Sequence, residues 1–270
     1  MHCCPHALLR CINSDHLYML LEYLPGGELF SLLYEEWSPL TGGDGGMPEP
    51  AARFYASCVV LSLEYLHGQD TAYRDLKMEN LVLDKLGYAK LVDLGFCKIL
   101  PGDTRTFTKC GSPDYMAPES HFGKAHGRPV DLWAFGVMLF ELLTGTTPFF
   151  DKNRANIVRN AINIRINWPE GFSTKHSAAH DLIKKLIKVD PFERLGTNKD
   201  SSPAWNQIKQ HPFFAETDWD AMAAQRCATP FVPEMENAFD AQNFQEFSGS
   251  DDEEESQPYA DDGSGAFDGF

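Results

Sequence analysis

The sequence predicts an α+β fold in which a short strand-bearing start leads into a mainly helical body and then an acidic tail. Three observations carry that prediction. Leu17 to Glu22 alternates weakly between apolar and polar residues, as a strand does. Val130 to Leu143 is apolar nearly all round, which marks a helix buried on every side. From Glu216 to Phe270 there are fifteen acidic residues against one basic residue, Arg226, leaving a net of −2 for residues 1–215 out of the total of −16. The acidity therefore belongs to the tail, where Asp251-Asp252-Glu253-Glu254-Glu255 followed by Ser, Pro, Gly and Asp reads as a solvated, largely disordered segment.

The elements follow in order. Leu17–Glu22 is a strand running into a hinge at about residues 22–28, where Pro25-Gly26-Gly27 breaks regular structure. Thr41-Gly42-Gly43-Asp44-Gly45-Gly46 is a flexible loop. Pro50 opens a helix on which Phe54, Cys58, Leu61 and Tyr65, spaced by four, three and four, form one buried stripe ending near His67-Gly68. Leu81-Val82-Leu83, the turn Asp84–Gly87 and Tyr88–Val92 form a hairpin that brings Asn80 and Asp93 together. Ala178–Val189 is an amphipathic helix stopped by Asp190-Pro191.

The chemistry is concentrated in Tyr73-Arg74-Asp75-Leu76-Lys77-Met78-Glu79-Asn80, followed by Asp93-Leu94-Gly95 and Ala117-Pro118-Glu119. Phosphoryl transfer asks for little covalent work and much management of charge. Asp75 can accept the proton of an attacking hydroxyl, and Lys77 can offset charge growing on the phosphate. Asn80 and Asp93 offer hard oxygen ligands of the kind magnesium prefers. A solvated charged loop rarely spaces acid, base, amide and acid in this order.

These motifs resemble the AGC group of serine/threonine protein kinases, and within it the cyclic-nucleotide-dependent branch. Tyr73 before Arg74-Asp75, Gly26-Gly27-Glu28-Leu29-Phe30, Ala52-Arg53-Phe54-Tyr55-Ala56 and Phe213-Phe214 with Thr217-Asp218-Trp219 carry the same resemblance. It implies a protein-kinase-like fold, mainly the helical carboxyl-terminal lobe with a remnant of the amino-terminal lobe. On that reading residues 1–214 are the kinase domain and 215–270 an AGC-type tail. ATP and Mg2+ are implied as cofactors, and protein substrates with basic segments as partners, with a cyclic-nucleotide-binding regulatory subunit also open.

Residue by residue, the resemblance makes Asp75, Lys77 and Asn80 catalytic and gives the metal to Asn80 and Asp93. The nucleotide falls to Glu22, Leu24, Glu28, Val82 and Phe244, the last within Asn243-Phe244-Gln245-Glu246-Phe247. Glu28, Glu79 and Glu141 match positions that hold arginines two and three residues before the acceptor, Asp114 stands for a glutamate, and Ser112 stands for a threonine that contacts Asp75 and Lys77. Thr108 matches a phosphorylated threonine whose phosphate pairs with Arg74 and Lys98. Glu119 and Arg194 match a structural ion pair, and Asp131 a brace of the catalytic loop. Phe267-Asp268-Gly269-Phe270 resembles a terminal hydrophobic motif. Leu94 for phenylalanine and Met78 for proline depart from the pattern.

The 270 residues hold no G-x-G-x-x-G ahead of a V-A-I-K-like strand, so the lysine that anchors the α and β phosphates is not among them. Three readings stay open: part of an active kinase, a catalytically inactive lobe acting as a protein-binding module, and a small-molecule kinase, which Ala117-Pro118-Glu119 disfavours. Composition agrees with a globular protein of 43% hydrophobic residues, in the cytoplasm or nucleus, bound neither to nucleic acid nor to membrane. Seven cysteines without C-x-x-C spacing read as reduced thiols.

Overall fold

A computed structural model describes residues 7–12, 17–34, 45–198, 203–235 and 243–244. The chain begins with an antiparallel pair, β1 (Ala7–Ile12) and β2 (Leu17–Leu21), then a short helix α1 (Leu29–Tyr34) and the long helix α2 (Glu49–Gly68). Three short strands follow α2 around the catalytic loop: β3 (Thr71–Ala72), β4 (Leu81–Leu83) and β5 (Ala89–Leu91). Then come β6 (Lys98–Ile99), α3 (Pro118–His121) and the central helix α4 (Pro129–Thr144). The remainder is helical: α5 (Arg154–Ile162), α6 (Phe172–Lys175), α7 (Ser177–Leu186), α8 (Trp205–Lys209) and α9 (Trp219–Ala223). Mainly helical with a few short strands, the molecule has the α+β, protein-kinase-like architecture that the motifs imply.

The core is built on α2, α4 and α7. Helix α4 is buried from Pro129 to Leu143, with Trp133, Phe135 and Phe140 wholly inaccessible, and it stops at Gly145 in the left-handed conformation that a glycine adopts without steric cost. Helix α2 departs from the single stripe expected of it. Phe54, Cys58 and Leu61 are buried, but Tyr65 is 42% exposed, while Tyr55, Val59, Val60 and Leu63 on other faces are fully enclosed. Because α2 packs on α4, β5 and the tail helix α9 at once, nearly its whole circumference is covered until its last turns reach the surface. Helix α7 stops at Leu186, ahead of the expected end, and Val189 lies exposed.

Strands β4 and β5 form the expected hairpin, Leu81 facing Leu91 and Val82 facing Lys90. The hinge docks on it through Gly26 N–H to Leu83 O (2.9 Å) and Leu83 N–H to Gly27 O (2.9 Å). A third antiparallel pair joins β3 to β6, Thr71 facing Ile99 and Ala72 facing Lys98. The start of the tail straps the outside of the hairpin: Gln225 donates to Asp84 at 2.7 Å, and the Tyr88 hydroxyl both donates to Cys227 O and accepts from Cys227 N–H. The glycine-rich stretch 41–44, the acidic run 251–255 and the terminal motif 267–270 lie outside the described residues. No described helix is long and apolar enough to cross a membrane.

Candidate active site

Asp131, on the first turn of α4, organises the catalytic loop from beneath. Its carboxylate accepts the backbone N–H of Tyr73 (2.9 Å) and of Arg74 (2.7 Å), and pairs with His67 Nε2 at 2.8 Å. Arg74 sits at φ +71°, a left-handed conformation costing a non-glycine residue roughly 1–2 kcal/mol. The two charge-assisted bonds to Asp131, which is 1% exposed, hold the loop in that shape. The Tyr73 hydroxyl donates to Val92 O at 2.6 Å, and Val92 N–H to Asn80 O at 3.0 Å, so the loop is tied to the strand that delivers Asp93.

Around Asp75 the groups converge. Asn80 Nδ2 donates to Asp75 O (2.9 Å) and Oδ2 (3.0 Å), while the Ser112 N–H and hydroxyl reach Oδ1 at 3.1 and 3.3 Å. Lys77 Nζ stands 3.6 Å from Oδ2. Asp75 is only 4% exposed, so its carboxylate is held in one orientation by fixed donors. The segment carrying Ser112 approaches this closely because Gly111, at φ +98°, has no Cβ; one there would stand 2.7 Å from Arg74 O. With Asn80 Nδ2 committed to Asp75, its Oδ1 is the atom available to a cation. Asp93 is exposed beside it, its Oδ1 accepting Gly95 N–H at 3.0 Å. Two hard oxygens suit a magnesium ion that also keeps phosphate and water ligands.

The structural pair is bidentate: Arg194 Nη1 and Nη2 each lie 2.7 Å from a Glu119 oxygen, and the guanidinium also donates to Pro129 O and Lys188 O and sits 5.3 Å from the Trp133 ring centre. Thr108 is exposed. Lys98 donates to the neighbouring buried Thr106 (2.9 Å), whose hydroxyl in turn donates to Thr108 at 3.3 Å. Arg74 Nε donates to Phe96 O, and its Nη1 is enclosed without a hydrogen-bond partner.

Of the residues expected to meet nucleotide, Leu24 and Val82 are buried at the hinge and hairpin, the Glu28 backbone bridges to Val82, and Glu22 directs its carboxylate to Lys90. The tail returns here: Asn243 Nδ2 donates to Pro25 O (3.0 Å), setting Phe244, half-buried, beside the hinge. Only glycine fits at Gly27, since a Cβ would lie 2.4 Å from Asn243 O.

Of the carboxylates expected to meet substrate arginines, Glu79 is exposed and Asp114 half-buried, while Glu141 is covered by two phenols. It is 4% exposed and accepts the Tyr34 hydroxyl (2.5 Å) on Oε1 and the Tyr115 hydroxyl on Oε2. Burial pushes its carboxyl up to about 7, against the opposing pull of the two phenols; Glu79 and Asp114 add like charge. Tyr34 and Tyr115 are raised above the usual phenol range, first by burial and then by Glu141. Sequence reading missed both tyrosines and Lys90. A charge in a strand otherwise made of apolar residues was the one signal for Lys90; nothing local marked the tyrosines.

The family model for the protein kinase domain matches residues 7–214. The chain belongs to the protein kinase domain family. This kinase domain is 42% identical over 224 residues to cAMP-dependent protein kinase type 3 of Saccharomyces cerevisiae, an alignment covering 83% of the chain and 52% of that protein. Against the human cAMP-dependent protein kinase catalytic subunit PRKX the identity is 41% over 241 residues, with 88% and 62% covered. The ribosomal protein S6 kinase beta of Caenorhabditis elegans is 42% identical over 233 residues, with 86% and 40% covered. The AGC resemblance drawn from the motifs thus holds. The kinase domain spans between two fifths and about three fifths of the length of these relatives.

Proposed function

We propose that this domain transfers the γ-phosphoryl group of ATP to serine or threonine hydroxyls in arginine-containing protein segments. One observation carries the reading: Asp75, buried and oriented by Asn80 and Ser112, faces Lys77 across 3.6 Å. Asp75 accepts the acceptor hydroxyl's proton, and Lys77 offsets negative charge on the phosphoryl oxygens being transferred. Asn80 Oδ1 and Asp93 would hold magnesium, which supplies charge neutralisation for the phosphates when bound. Leu24, Val82 and Phe244 give the adenine apolar cover, and the hinge backbone near Glu22 and Glu28 reads its edge.

The basic-substrate part of the reading draws support from the acidic set Glu28, Glu79, Asp114 and Glu141, since a carboxylate suits the planar fork of arginine. The relatives named for cAMP dependence suggest a cyclic-nucleotide-binding regulatory subunit as partner. Phosphorylation of Thr108 would bring Lys98 and the enclosed Nη1 of Arg74 onto the phosphate.

The test is Asp75→Asn in a version that also carries a glycine-rich loop and anchoring lysine ahead of residue 1. Peptide phosphorylation should fall about a hundredfold or more with nucleotide affinity kept. Unchanged turnover removes Asp75 from the mechanism. Absent turnover in the unmutated protein, with peptide binding retained, replaces catalysis by the binding-module reading.

A further inference from the structure

Glu141 lies on the last turn of the central helix, and both of its oxygens are already occupied by phenol hydroxyls from distant parts of the chain. The two phenols are not equivalent. Tyr115 is 7% exposed and closes the inner side of the carboxylate. Tyr34, the last residue of α1, is 39% exposed, and its ring leans on Phe30 with centres 4.5 Å apart. A group arriving from solvent therefore meets Tyr34 before it meets Glu141. Glu79 and Asp114 act on the same carboxylate, so the mouth beside Tyr34 is acidic and attracts a cation that the covered carboxylate cannot fully receive.

We propose that Tyr34 is a specificity-determining gate, competing with a substrate arginine for Glu141. A guanidinium captures a carboxylate best when it can address both oxygens at once. With Tyr115 on Oε2 and Tyr34 on Oε1, an arginine gains full access to Oε1 only by displacing the Tyr34 hydroxyl. The gate lowers the preference for arginine at this subsite without touching the reacting groups around Asp75. This rests on the reading that Glu141 faces a substrate arginine.

The competition is read by fluorescence anisotropy, with two labelled peptides differing only in arginine or alanine two residues before the acceptor. Tyr34→Phe keeps the ring on Phe30 and removes only the hydroxyl. It should raise the arginine-over-alanine affinity ratio about tenfold, the scale of one hydrogen bond to a charged group, with the alanine peptide unchanged. An unaltered ratio, or one that falls, overturns the gate. Glu141→Gln separates the two levels of the argument. If it abolishes the ratio while Tyr34→Phe does nothing, the arginine subsite stands and the gate fails. If it leaves the ratio intact, the subsite assignment itself fails.

Discussion

Lys90 Nζ lies 2.5 Å from Glu22 Oε1, joining the floor of the hairpin to the residue that follows β2. The partners differ in burial: the Lys90 side chain is 3% exposed and that of Glu22 is 31% exposed. Removing one partner of a buried pair strands the other, but only the more buried one is stranded expensively.

The two single substitutions should therefore behave differently. Glu22→Gln leaves a buried ammonium without its anion and should cost about 3 kcal/mol, whereas Lys90→Met leaves the less buried partner and should cost about half as much or less. Combining Lys90→Met with Glu22→Gln should recover most of the loss. Thermal melts of the three variants check this, and equal costs for the two single changes would contradict it.

Glu119 and Arg194 should be less tolerant still. The pair is buried on both sides and bidentate, with the guanidinium also holding Pro129 O and Lys188 O. Arg194→Lys keeps the charge but loses the fork, and should destabilise by about 3–5 kcal/mol. A denaturant midpoint within error of the unmutated chain would show that the fork is dispensable.

Glu141 gives stability a pH dependence of definite sign. Its folded pKa of about 7 stands above the ordinary value of 4.5, so between those two pH values the folded chain holds a proton that the unfolded chain has released. The stabilisation is complete below about pH 4.5 and is lost as pH rises through about 7. The groups facing Glu141 are Tyr34, Tyr115, Glu79 and Asp114. Of these, Glu79 and Asp114 place like charge on Glu141 and so act in the same direction as its burial. Stability measured at pH 5 and pH 8 should drop by up to about 3 kcal/mol more in the unmutated protein than in Glu141→Gln. Parallel pH profiles would remove Glu141 as the cause.

Phosphate on Thr108 should draw Lys98 away from Thr106 and engage the enclosed Nη1 of Arg74. Phosphorylated protein should show slower amide exchange across residues 104–112 than the unphosphorylated form, by about tenfold. Lys98→Ala should erase most of that difference. Identical exchange with and without phosphate would mean that Thr108 does not order this segment.

The sequence by itself determined the chemistry around Asp75, because that site is built almost entirely from one short run. Asp75, Lys77 and Asn80 lie within six residues, and a hairpin of local hydrogen bonds returns Asp93 beside them. The helix of α4 was equally legible, since an apolar run with no polar face has only the interior to occupy. What tertiary structure alone decided are the partners separated by long stretches of chain: Lys90 with Glu22, Asn243 with Pro25, Tyr34 and Tyr115 on Glu141. It also decided that Tyr65 reaches solvent while the opposite faces of α2 do not. Periodicity shows which residues share a face of one helix, but burial depends on how many other elements cover that face. Likewise a lone glutamate carries no mark of whether it meets water, a lysine or two phenols, because those neighbours are supplied by packing across the fold rather than by the residues beside it.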